Sequence, residues 1–317
     1  MVLEEYAMKV IFVASGNKAV GTVSSFVQSQ YDSLADQGLK MILFPVVGRG
    51  VKGYLKHLFA LRRLIREERP DIVHAHYSVC GYLASLASLG MKNKVVVSLL
   101  GSFPRETKKL KRVRRCVDKL WDATIVKSER TRKQLDRALP VIPNGVNIER
   151  FVVIEQEEAR QKVGFEKGKK YVIFVSNPAR PEKCYPLAKK AVETLSDSNV
   201  VLVPVYNRPH DEVVTYMCAA DVLLMTSSSE GSPNVIKEAM ACNCPIVVTD
   251  VGDVHERLDG LDGCYVANTR EAVELAVLLS KALQFGKRTE GRKALLEQGL
   301  TTELVAKRII GIYNELL

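Results

Sequence analysis

The sequence predicts an α/β protein made of two doubly wound, Rossmann-like domains that face each other across a cleft. Three observations predict this fold class. The chain has 317 residues, enough for two domains with separate cores. Apolar runs of strand length alternate with helical stretches along both halves, as in parallel sheets covered by helices on both faces. Turn-forming residues at 143–147, PNGVN, separate the halves.

Composition narrows the class of protein. Apolar residues make up 47% of the chain, yet no apolar run approaches the length of a membrane span. The acidic opening MVLEEYA and the short apolar run after it argue against a secretory signal. The seven cysteines are scattered, and Cys242-Asn-Cys244 has no partner pair at zinc spacing, so we expect reduced thiols, a cytoplasmic protein and no metal site. A net charge of +10 is compatible with nucleic acid, anionic membrane or phosphate-bearing substrates.

The first half opens with a strand, a glycine-containing loop and a helix. Residues 9–14 form the predicted strand, Ser15 to Gly21 the loop, and residues 22–37 the helix, which ends at Gly38. This loop is either a plain turn or a substrate-facing turn of a doubly wound fold. No GxGxxG is present, which argues against a nicotinamide domain. Further strands are predicted at 41–46, 71–75, 94–99 and 123–126, and further helices at 54–68, 79–89 and 107–120.

The helix near residues 107–121 carries an apolar stripe and an opposite basic face. That face contains Lys108, Lys109, Lys111, Arg112, Arg114 and Arg115. One interpretation is an amphipathic helix with a solvated basic surface. The other is a patch that contacts anionic lipid headgroups or a charged acceptor, which would place the protein peripherally at the inner face of the membrane. Nucleic acid ranks third, because no aromatic residues interleave with the charges.

The second half begins after a charge-rich segment without apolar periodicity. Its first strand, at 171–176, leads into a tight turn that carries Arg180 and Lys183, followed by a helix at 186–195. Two cations directed at one point suit a diphosphate, although a basic surface turn is the alternative. The next strand, at 200–205, ends at a loop that contains Asn207. Helices are also predicted at 272–283 and 303–316.

Residues 221–253 form the stretch around which the second half is organised. A strand at 222–226 precedes a small polar loop, a helix to about Cys242 and a strand at 246–249. Ser232 is the predicted N-cap and Pro233 the first helical residue. Glu230 lies in the loop, and Glu238 lies on a largely apolar helical stripe, where a carboxylate needs a hydrogen-bonding partner.

Two carboxylates flanking free helix amides match a sugar–diphosphate–ribose ligand. Vicinal ribose hydroxyls would satisfy Glu238, and the amides at 231–234 would favour an anionic group close by. The alternative is a solvated loop carboxylate and a half-exposed helix residue.

The same stretch resembles the family-four retaining glycosyltransferases of the GT-B fold. The resemblance rests on EGSPNVIKE at 230–238, which looks like the glutamate–seven–glutamate signature, then AMA at 239–241 and PIVVTDVG at 245–252. PNGV at 143–146 resembles the family's interdomain segment. By this resemblance, residues 1–147 form an acceptor-side domain, 148–299 a nucleotide-sugar-binding domain, and 300–317 a helix that packs back on the first domain.

The resemblance implies a metal-independent hexosyltransferase of polysaccharide or glycolipid biosynthesis that needs no cofactor, with a nucleotide-sugar donor as substrate and a saccharide or lipid-linked acceptor. Glu238 would bind the ribose, and Glu230 the sugar. Arg180, Lys183 and the backbone around Ser232 would bind the diphosphate. The other residues that it places on the donor side are Gly21, Asn207, Gly231, Pro233 and Asn234.

Two departures from the family pattern bear on these roles. The family's arginine usually lies five residues before the lysine, where this chain has Pro178. Many relatives carry a histidine immediately before the glycine equivalent to Gly101, but here Leu100 occupies that place, and His76 is the nearest substitute on the sugar or acceptor side. A structural histidine is the alternative for His76. A nucleotide-sugar epimerase of the same fold and a non-catalytic nucleotide-sugar binder are therefore the alternative functions.

Overall fold

The first of two parallel sheets is built from the amino-terminal half of the chain. The computed structural model describes residues 7–17, 21–48, 50–101 and 107–317. The strands of this sheet are β1 (Lys9–Ser15), β2 (Lys40–Val46), β3 (Ile72–His76), β4 (Lys94–Leu99) and β5 (Ala123–Val126). They pair in the order β2-β1-β3-β4-β5. Because the chain runs from β1 outward to β2 and returns past β1 to β3, the topological switch point lies between β1 and β3.

Helices cover both faces of this sheet. They are α1 (Ser25–Ala35), α2 (Gly50–Leu55), α3 (Leu58–Glu68), α4 (Ser78–Ala87), α5 (Lys108–Lys119) and α6 (Glu129–Leu135). On one face, Leu61 of α3, Leu83 of α4 and Val113 of α5 pack in a single apolar core. The strands are apolar on both sides for this reason, since each face is buried by helices.

The second sheet follows the same plan. Its elements are α7 (Gln156–Val163), β6 (Lys170–Phe174), α8 (Tyr185–Thr194), β7 (Val200–Pro204), α9 (His210–Ala219), β8 (Val222–Met225), α10 (Asn234–Ala241), β9 (Ile246–Thr249), α11 (Val254–Leu258), β10 (Cys264–Ala267), α12 (Ala272–Phe285) and α13 (Gly291–Glu297). The parallel strands are ordered β10-β9-β8-β6-β7. The order reverses between β6 and β8, so the carboxyl ends of these two strands meet at the switch point.

The last helix, α14 (Thr302–Asn314), belongs to the first sheet. The chain divides into unit 1, residues 1–145 and 302–317, and unit 2, residues 146–301. Ile309 and Tyr313 of α14 are fully buried in one core with Phe12 of β1 and Val27 of α1. The Tyr313 hydroxyl lies 2.5 Å from Nδ1 of His74.

The structure corrects several predicted element bounds. The single helix expected at 54–68 is two helices, α2 and α3, which break around His57, where Nε2 lies 2.9 Å from the Val47 carbonyl oxygen. Helix α7 occupies part of the segment that lacks apolar periodicity. It forms because Glu155 accepts a hydrogen bond from the amide of Glu158 and Gly164 ends it in the left-handed conformation, although Ala159 is its one fully buried residue.

Strand β10 and helices α6, α9, α11 and α13 were not predicted either. All of them except α9 have only four to seven residues, too few to show a clear hydrophobic period. Among the residues that the structure describes, no helix combines the length and the apolarity needed to cross a bilayer.

Candidate active site

A short turn after β6 is fastened to the loop after β8. The turn is a 3₁₀ segment, Pro181–Lys183. The amide of Ser228 donates to the Glu182 carbonyl at 2.8 Å, and the Thr226 hydroxyl donates to the carbonyls of Lys183 and Cys184, each at 3.0 Å. These bonds hold the backbone of Lys183 at the switch point of unit 2.

Lys183 and Glu230 form an ion pair across this junction. The Lys183 ammonium contacts Oε1 of Glu230, and both side chains are largely buried, with 16% and 19% of their surfaces exposed. The structure thus brings together two residues predicted for the site that lie 47 positions apart. At a buried lysine–carboxylate pair, an anionic ligand can replace the carboxylate as the partner of the lysine.

Arg180 lies differently from the expectation of two cations directed at one point. Its guanidinium donates to Oε1 of Glu182 at 2.6 and 2.8 Å, and more than half of the Arg180 side chain is exposed. A hydrogen bond from its own backbone amide, followed by that of Arg180, lowers the pKa of the Glu182 carboxyl. Glu182 is within reach because it follows Arg180 by two residues in a tight turn, so Arg180 does not join the Lys183–Glu230 pair.

Helix α10 begins one residue later than predicted from the sequence. Its cap is Pro233 and its first residue is Asn234, and Ser232 makes no capping hydrogen bond. The Ser232 hydroxyl donates instead to Oδ2 of Asp253 at 2.8 Å and accepts from the Lys237 ammonium at 3.0 Å. These two side-chain contacts replace the capping hydrogen bond that Ser232 was predicted to make. The backbone of 231–233 lies buried beside Glu230.

Glu238, in the middle of α10, has a strongly perturbed carboxyl. Burial raises its pKa from 4.5 to about 7, with Lys237 and Arg150 acting in the opposite direction. The side chain keeps part of its surface exposed, and among the described residues no hydrogen bond reaches its carboxylate. Its oxygens are therefore available as acceptors.

A buried charge network of Ser232, Lys237, Asp253 and Arg257 supports this loop, and it was not predicted from the sequence. Lys237 and Asp253 are at most 1% exposed, and Nε of Arg257 lies 3.2 Å from Oδ2 of Asp253. Burial lowers the pKa of Lys237 to about 8 and raises that of Asp253. A signal was available: α10 is apolar on almost every side, so a lysine within it must be buried and must find partners.

Gly252 allows the loop after β9 to approach the loop that carries Glu230. Its φ is +61°, and a Cβ placed there would lie 2.6 Å from the carbonyl oxygen of Gly231. Any side chain would push the two loops apart. The network and this contact together fix the backbone of Glu230 and Gly231.

Two further residues predicted on the donor side, Asn207 and Gly21, are exposed, and so is Gly101, which was predicted on the sugar or acceptor side. Asn207 lies in the loop after β7 with φ +52°, and β7 is the edge strand next to β6. In unit 1, Gly21 is exposed with φ +81°, and residues 18–20 of its loop lie outside the described residues. Gly101 is exposed at the end of β4, just before residues 102–106, which also lie outside them.

His76 is fully buried in unit 1. Its Nε2 lies 2.9 Å from Oε1 of Gln30, and its ring stacks on that of His74 with centroids 4.7 Å apart. Burial and the nearby Lys127 lower its pKa to about 3. The imidazole presents no surface to a ligand in this structure, so it contributes to the packing of α1 against β3, as the structural alternative expected.

The basic face of α5 is largely exposed. Arg114 is the exception, because its guanidinium donates to the carbonyls of Gln134 and Leu135 at the end of α6. The other five predicted cations, Lys108, Lys109, Lys111, Arg112 and Arg115, are exposed. Within the described ranges, no cluster of three or more His, Cys, Asp or Glu side chains is arranged to hold a metal ion.

Comparison with known proteins adds to this geometry. The family model described as Glycosyltransferase Family 4 matches residues 22–150, and that described as Glycosyl transferases group 1 matches residues 158–284. The chain is 28% identical over 242 residues to TuaC of Bacillus subtilis, provisionally named as a teichuronic acid biosynthesis glycosyltransferase; the alignment covers 65% of this chain and 62% of TuaC. It is 23% identical over 261 residues to an Escherichia coli UDP-Gal:α-D-GlcNAc-diphosphoundecaprenol α-1,3-galactosyltransferase, covering 68% of this chain and 67% of that protein.

Solved structures match almost the whole chain. A glycosyltransferase from Rickettsia africae superposes with a TM-score of 0.79 at 13% identity, covering 98% of this chain and 99% of that one. Anabaena Alr3699/HepE in complex with UDP superposes with a TM-score of 0.74 at 15% identity, covering 97% and 100%. At these identities the likeness establishes the fold, which is the two-domain Rossmann-like arrangement predicted from the sequence.

Proposed function

The chain belongs to the family-4 glycosyltransferases, and from this premise we propose that it transfers a sugar from a nucleotide-sugar to an acceptor hydroxyl in polysaccharide or glycolipid biosynthesis. The single observation that carries the proposal is the Lys183–Glu230 pair at the switch point of unit 2, with the partly exposed carboxylate of Glu238 in the helix that follows the Glu230 loop. A cation, two carboxylates and backbone N–H groups meet the needs of a sugar–diphosphate–ribose ligand.

Each residue has a distinct role in the proposed donor complex. Glu238 accepts hydrogen bonds from the ribose hydroxyls. Lys183 and the backbone N–H groups of residues 231, 232 and 234 bind the diphosphate, and Glu230 contacts the transferred sugar. Arg180 would have to exchange Glu182 for a phosphate oxygen to take part, so its contribution is smaller than that of Lys183.

Catalysis in this proposal is electrostatic. Breaking the sugar–phosphate bond leaves negative charge on the departing diphosphate, and a fixed cation with preorganised amides stabilises that charge. The acceptor hydroxyl would bind on the same face of the sugar as the departing diphosphate, and this positioning supplies much of the remaining acceleration. Its oxygen bonds to the anomeric carbon as the sugar–phosphate bond breaks, and its proton passes to the diphosphate oxygen. The proposed outcome is retention of the anomeric configuration, with no nucleophilic side chain of the protein forming a bond to the sugar.

The proposed donor is a UDP-sugar, and the proposed acceptor is a lipid-linked saccharide. Solved structures of similar fold contain UDP, UDP-glucose or UDP-2-fluoroglucose, and the Escherichia coli relative is named for UDP-galactose and a diphosphoundecaprenol acceptor.

The five exposed cations of α5 would serve such an acceptor by contacting anionic headgroups. Sedimentation with anionic vesicles tests this contact. It should disappear when the five are changed to glutamine, and sedimentation that persists would exclude the patch.

A thermal-shift screen across UDP-, GDP- and ADP-sugars tests the donor assignment. A ligand at one hundred times its dissociation constant stabilises the folded state by about 2.7 kcal/mol, so the melting temperature should rise with UDP-sugars alone. Product NMR with an α-GlcNAc-diphosphate carrying a short alkyl chain then tests transfer. A protein that no nucleotide-sugar stabilises would contradict the proposed function.

The two alternatives are separated by the same assay. An epimerase would convert the donor without any acceptor, and a non-catalytic binder would be stabilised by the donor yet release no UDP with any acceptor. The matching family models describe glycosyltransferases, which does not favour either alternative.

A further inference from the structure

A polar cavity lies at the amino edge of the sheet in unit 2, at the opposite edge from the proposed donor site. Its volume is about 180 Å³. Lys170, the first residue of β6, and Asp221, which directly precedes β8, both line it. Lys183 and Glu230 follow the carboxyl ends of the same two strands. Because β6 is five residues long and a strand rises about 3.3 Å per residue, the cavity is roughly 16 Å from the donor edge.

Positive charge predominates on the wall of this cavity. The charged side chains that line it are the cations Arg160, Lys170, Lys287 and Arg288 and the carboxylates Glu157 and Asp221. Asp221 is already paired, because its Oδ2 accepts hydrogen bonds from the Arg160 guanidinium at 2.8 Å and from the Tyr171 amide at 2.7 Å. Glu157 is mostly exposed, and its carboxylate lies 3.9 Å from the Arg160 guanidinium. Four cations against two carboxylates leave two positive charges unbalanced on the wall.

Backbone carbonyls hold both arginines in place. Arg288 donates to three carbonyls at the ends of α9 and α10, those of Met217, Ala220 and Cys242, at 2.7 to 2.9 Å. Arg160 donates through Nε to the carbonyl of the last residue of α9 at 3.1 Å. A guanidinium has five N–H donors, and these bonds leave each arginine with donors to spare. A ligand could use them without paying to order a long, mobile side chain.

Two lysines complete the wall. The Lys170 ammonium is 3.4 Å from Oδ1 of Asp221, and 46% of the Lys170 side chain is exposed. Lys287 follows Gly286, which ends α12 with a φ of 64° and turns the chain. Its ammonium lies over the Phe285 ring, 4.9 Å from the centroid, a contact that leaves the positive charge in place.

This lining fits phosphate oxygens. A guanidinium binds two oxygens of one phosphate group at once, and an ammonium contacts an oxygen as a point charge. Two unbalanced positive charges favour a ligand with two or more negative charges over a single carboxylate. Among the described residues on the wall, only Ala282 and Leu283 have apolar side chains. That surface is too small for an acyl chain, so the ligand is an anion from solution and not a lipid headgroup.

We propose that this cavity is a binding site for a small phosphate-bearing anion. Pyrophosphate is the simplest member of this class that can contact both arginines and both lysines. The site is separate from the donor and acceptor sites of the proposed function, and the inference does not depend on that function.

Titration calorimetry with inorganic pyrophosphate tests the site. It is carried out with the intact chain carrying Lys183→Ala, which removes the cation of the proposed donor site, so that binding there contributes little. In this background, Lys170→Gln with Lys287→Gln removes both lysines of the cavity. Lys189→Gln with Lys190→Gln is the matched control, because these two lysines are exposed on α8 and the change in net charge is the same.

We expect pyrophosphate to bind the Lys183→Ala chain with a Kd of about 1 mM or lower. The cavity variant should raise the Kd by about tenfold or more, because charge-assisted hydrogen bonds to phosphate oxygens are lost. The α8 control should stay within about twofold, since exposed charges away from the ligand contribute little. Equal Kd values for the two double variants, or no binding at about 10 mM, would overturn the inference.

Hydrogen exchange of the unchanged protein locates the ligand without any substitution. Pyrophosphate should slow amide exchange in the segments 156–160 and 284–290, which carry the wall of the cavity. Protection confined to the loops after β6 and β8 would place the anion in the donor site and exclude the cavity. The proposed function fails separately, if the unchanged protein neither binds UDP nor transfers sugar.

Discussion

At the scale of single residues, Lys183 and Glu230 show how the site balances charge. Each is largely buried, and each is the other's counter-ion. Removing one partner leaves an uncompensated charge, whereas a diphosphate can replace Glu230 as the partner of Lys183. In the proposed donor complex, Lys183 would exchange its contact with Glu230 for one with the diphosphate.

Substitution of either member should abolish most of the transfer activity. Lys183→Ala and Glu230→Gln should each lower the rate by roughly one hundredfold or more, because stabilisation of the departing diphosphate or the sugar contact is lost. Lys189→Ala, on an exposed position of the next helix, is the control and should keep full activity. Full activity in either site variant would refute the role given to that residue.

Glu238 predicts a pH dependence of donor binding. Burial raises its pKa to about 7, so the carboxyl is mainly protonated below that pH and becomes a full acceptor for ribose hydroxyls above it. Affinity for a UDP-sugar, whose diphosphate has no ionisation in this range, should increase as the pH rises from about 6 to about 8. Titration calorimetry at several pH values measures this, and Glu238→Gln should remove the dependence.

The same carboxyl should affect stability with the opposite sign. A pKa raised above its ordinary value of 4.5 means that the folded state holds the proton more tightly than the unfolded state. The unfolding free energy should therefore decrease as the pH rises from 4.5 to about 7, relative to Glu238→Gln. A variant whose stability follows the unchanged protein at every pH would show that Glu238 titrates normally.

At the scale of elements, α10 is positioned by charges rather than by a cap. Lys237 links the helix to Ser232, Ser232 links to Asp253 before α11, and Arg257 of α11 completes the network. Lys237, Ser232 and Asp253 are buried, and the Ser232 hydroxyl joins the other two by hydrogen bonds, whereas Arg257 is partly exposed and also donates to the side chain of Gln298. The network fixes the carboxyl end of the loop that carries Glu230 and Gly231, and the hydrogen bond from the Ser228 amide to the Glu182 carbonyl holds its amino end.

Lys237→Met should destabilise the protein and weaken donor binding. Methionine fills similar space but leaves Asp253 short of a counter-charge, a change that typically costs about 3 kcal/mol. Urea denaturation measures the loss, and Lys281→Met on the exposed face of α12 should stay within about 0.5 kcal/mol of the unchanged protein. Equal stabilities for the two variants would mean that the network contributes nothing.

At the scale of the whole molecule, the last helix completes the first unit. Helix α14 covers part of the sheet that begins with β1, nearly three hundred residues earlier in the chain. Its buried residues share a core with α1, and Arg308 donates to the Val141 carbonyl at 2.7 Å. Unit 1 is therefore not continuous in sequence, and its stability depends on the carboxyl terminus.

Ile309→Ala should lower the stability of unit 1 by about 3 kcal/mol, because Ile309 is fully buried and the substitution leaves a cavity. The chain's single tryptophan, Trp121, is buried in unit 1 against Gly81, so its fluorescence reports the unfolding of that unit. Lys307→Ala is the control, because Lys307 is exposed on the same helix. It should leave the midpoint of the unfolding transition nearly unchanged, as surface substitutions usually do. An unshifted midpoint in Ile309→Ala would show that α14 does not stabilise unit 1.

The fold class and the ends of several strands could be predicted from the sequence alone. Strands β4, β5 and β9 lie at the predicted residues, because buried parallel strands are continuous apolar runs bounded by polar turns. It also indicated Glu230, Glu238 and Lys183, since charged residues beside apolar elements stand out against their neighbours. Helix α7 escaped prediction because its end signals, Glu155 and Gly164, stabilise it where apolar periodicity does not.

Which of these residues contact one another depends on how distant segments pack. Sequence spacing could not show that Lys183 reaches Glu230 while Arg180 turns to Glu182, because that choice depends on how the loops after β6 and β8 are fastened together. It could not show that His76 is buried or that Lys237 is linked through Ser232 to Asp253. Hydrophobic pattern is a local property of the chain, whereas burial, partner choice and backbone strain are set by distant segments packing against one another.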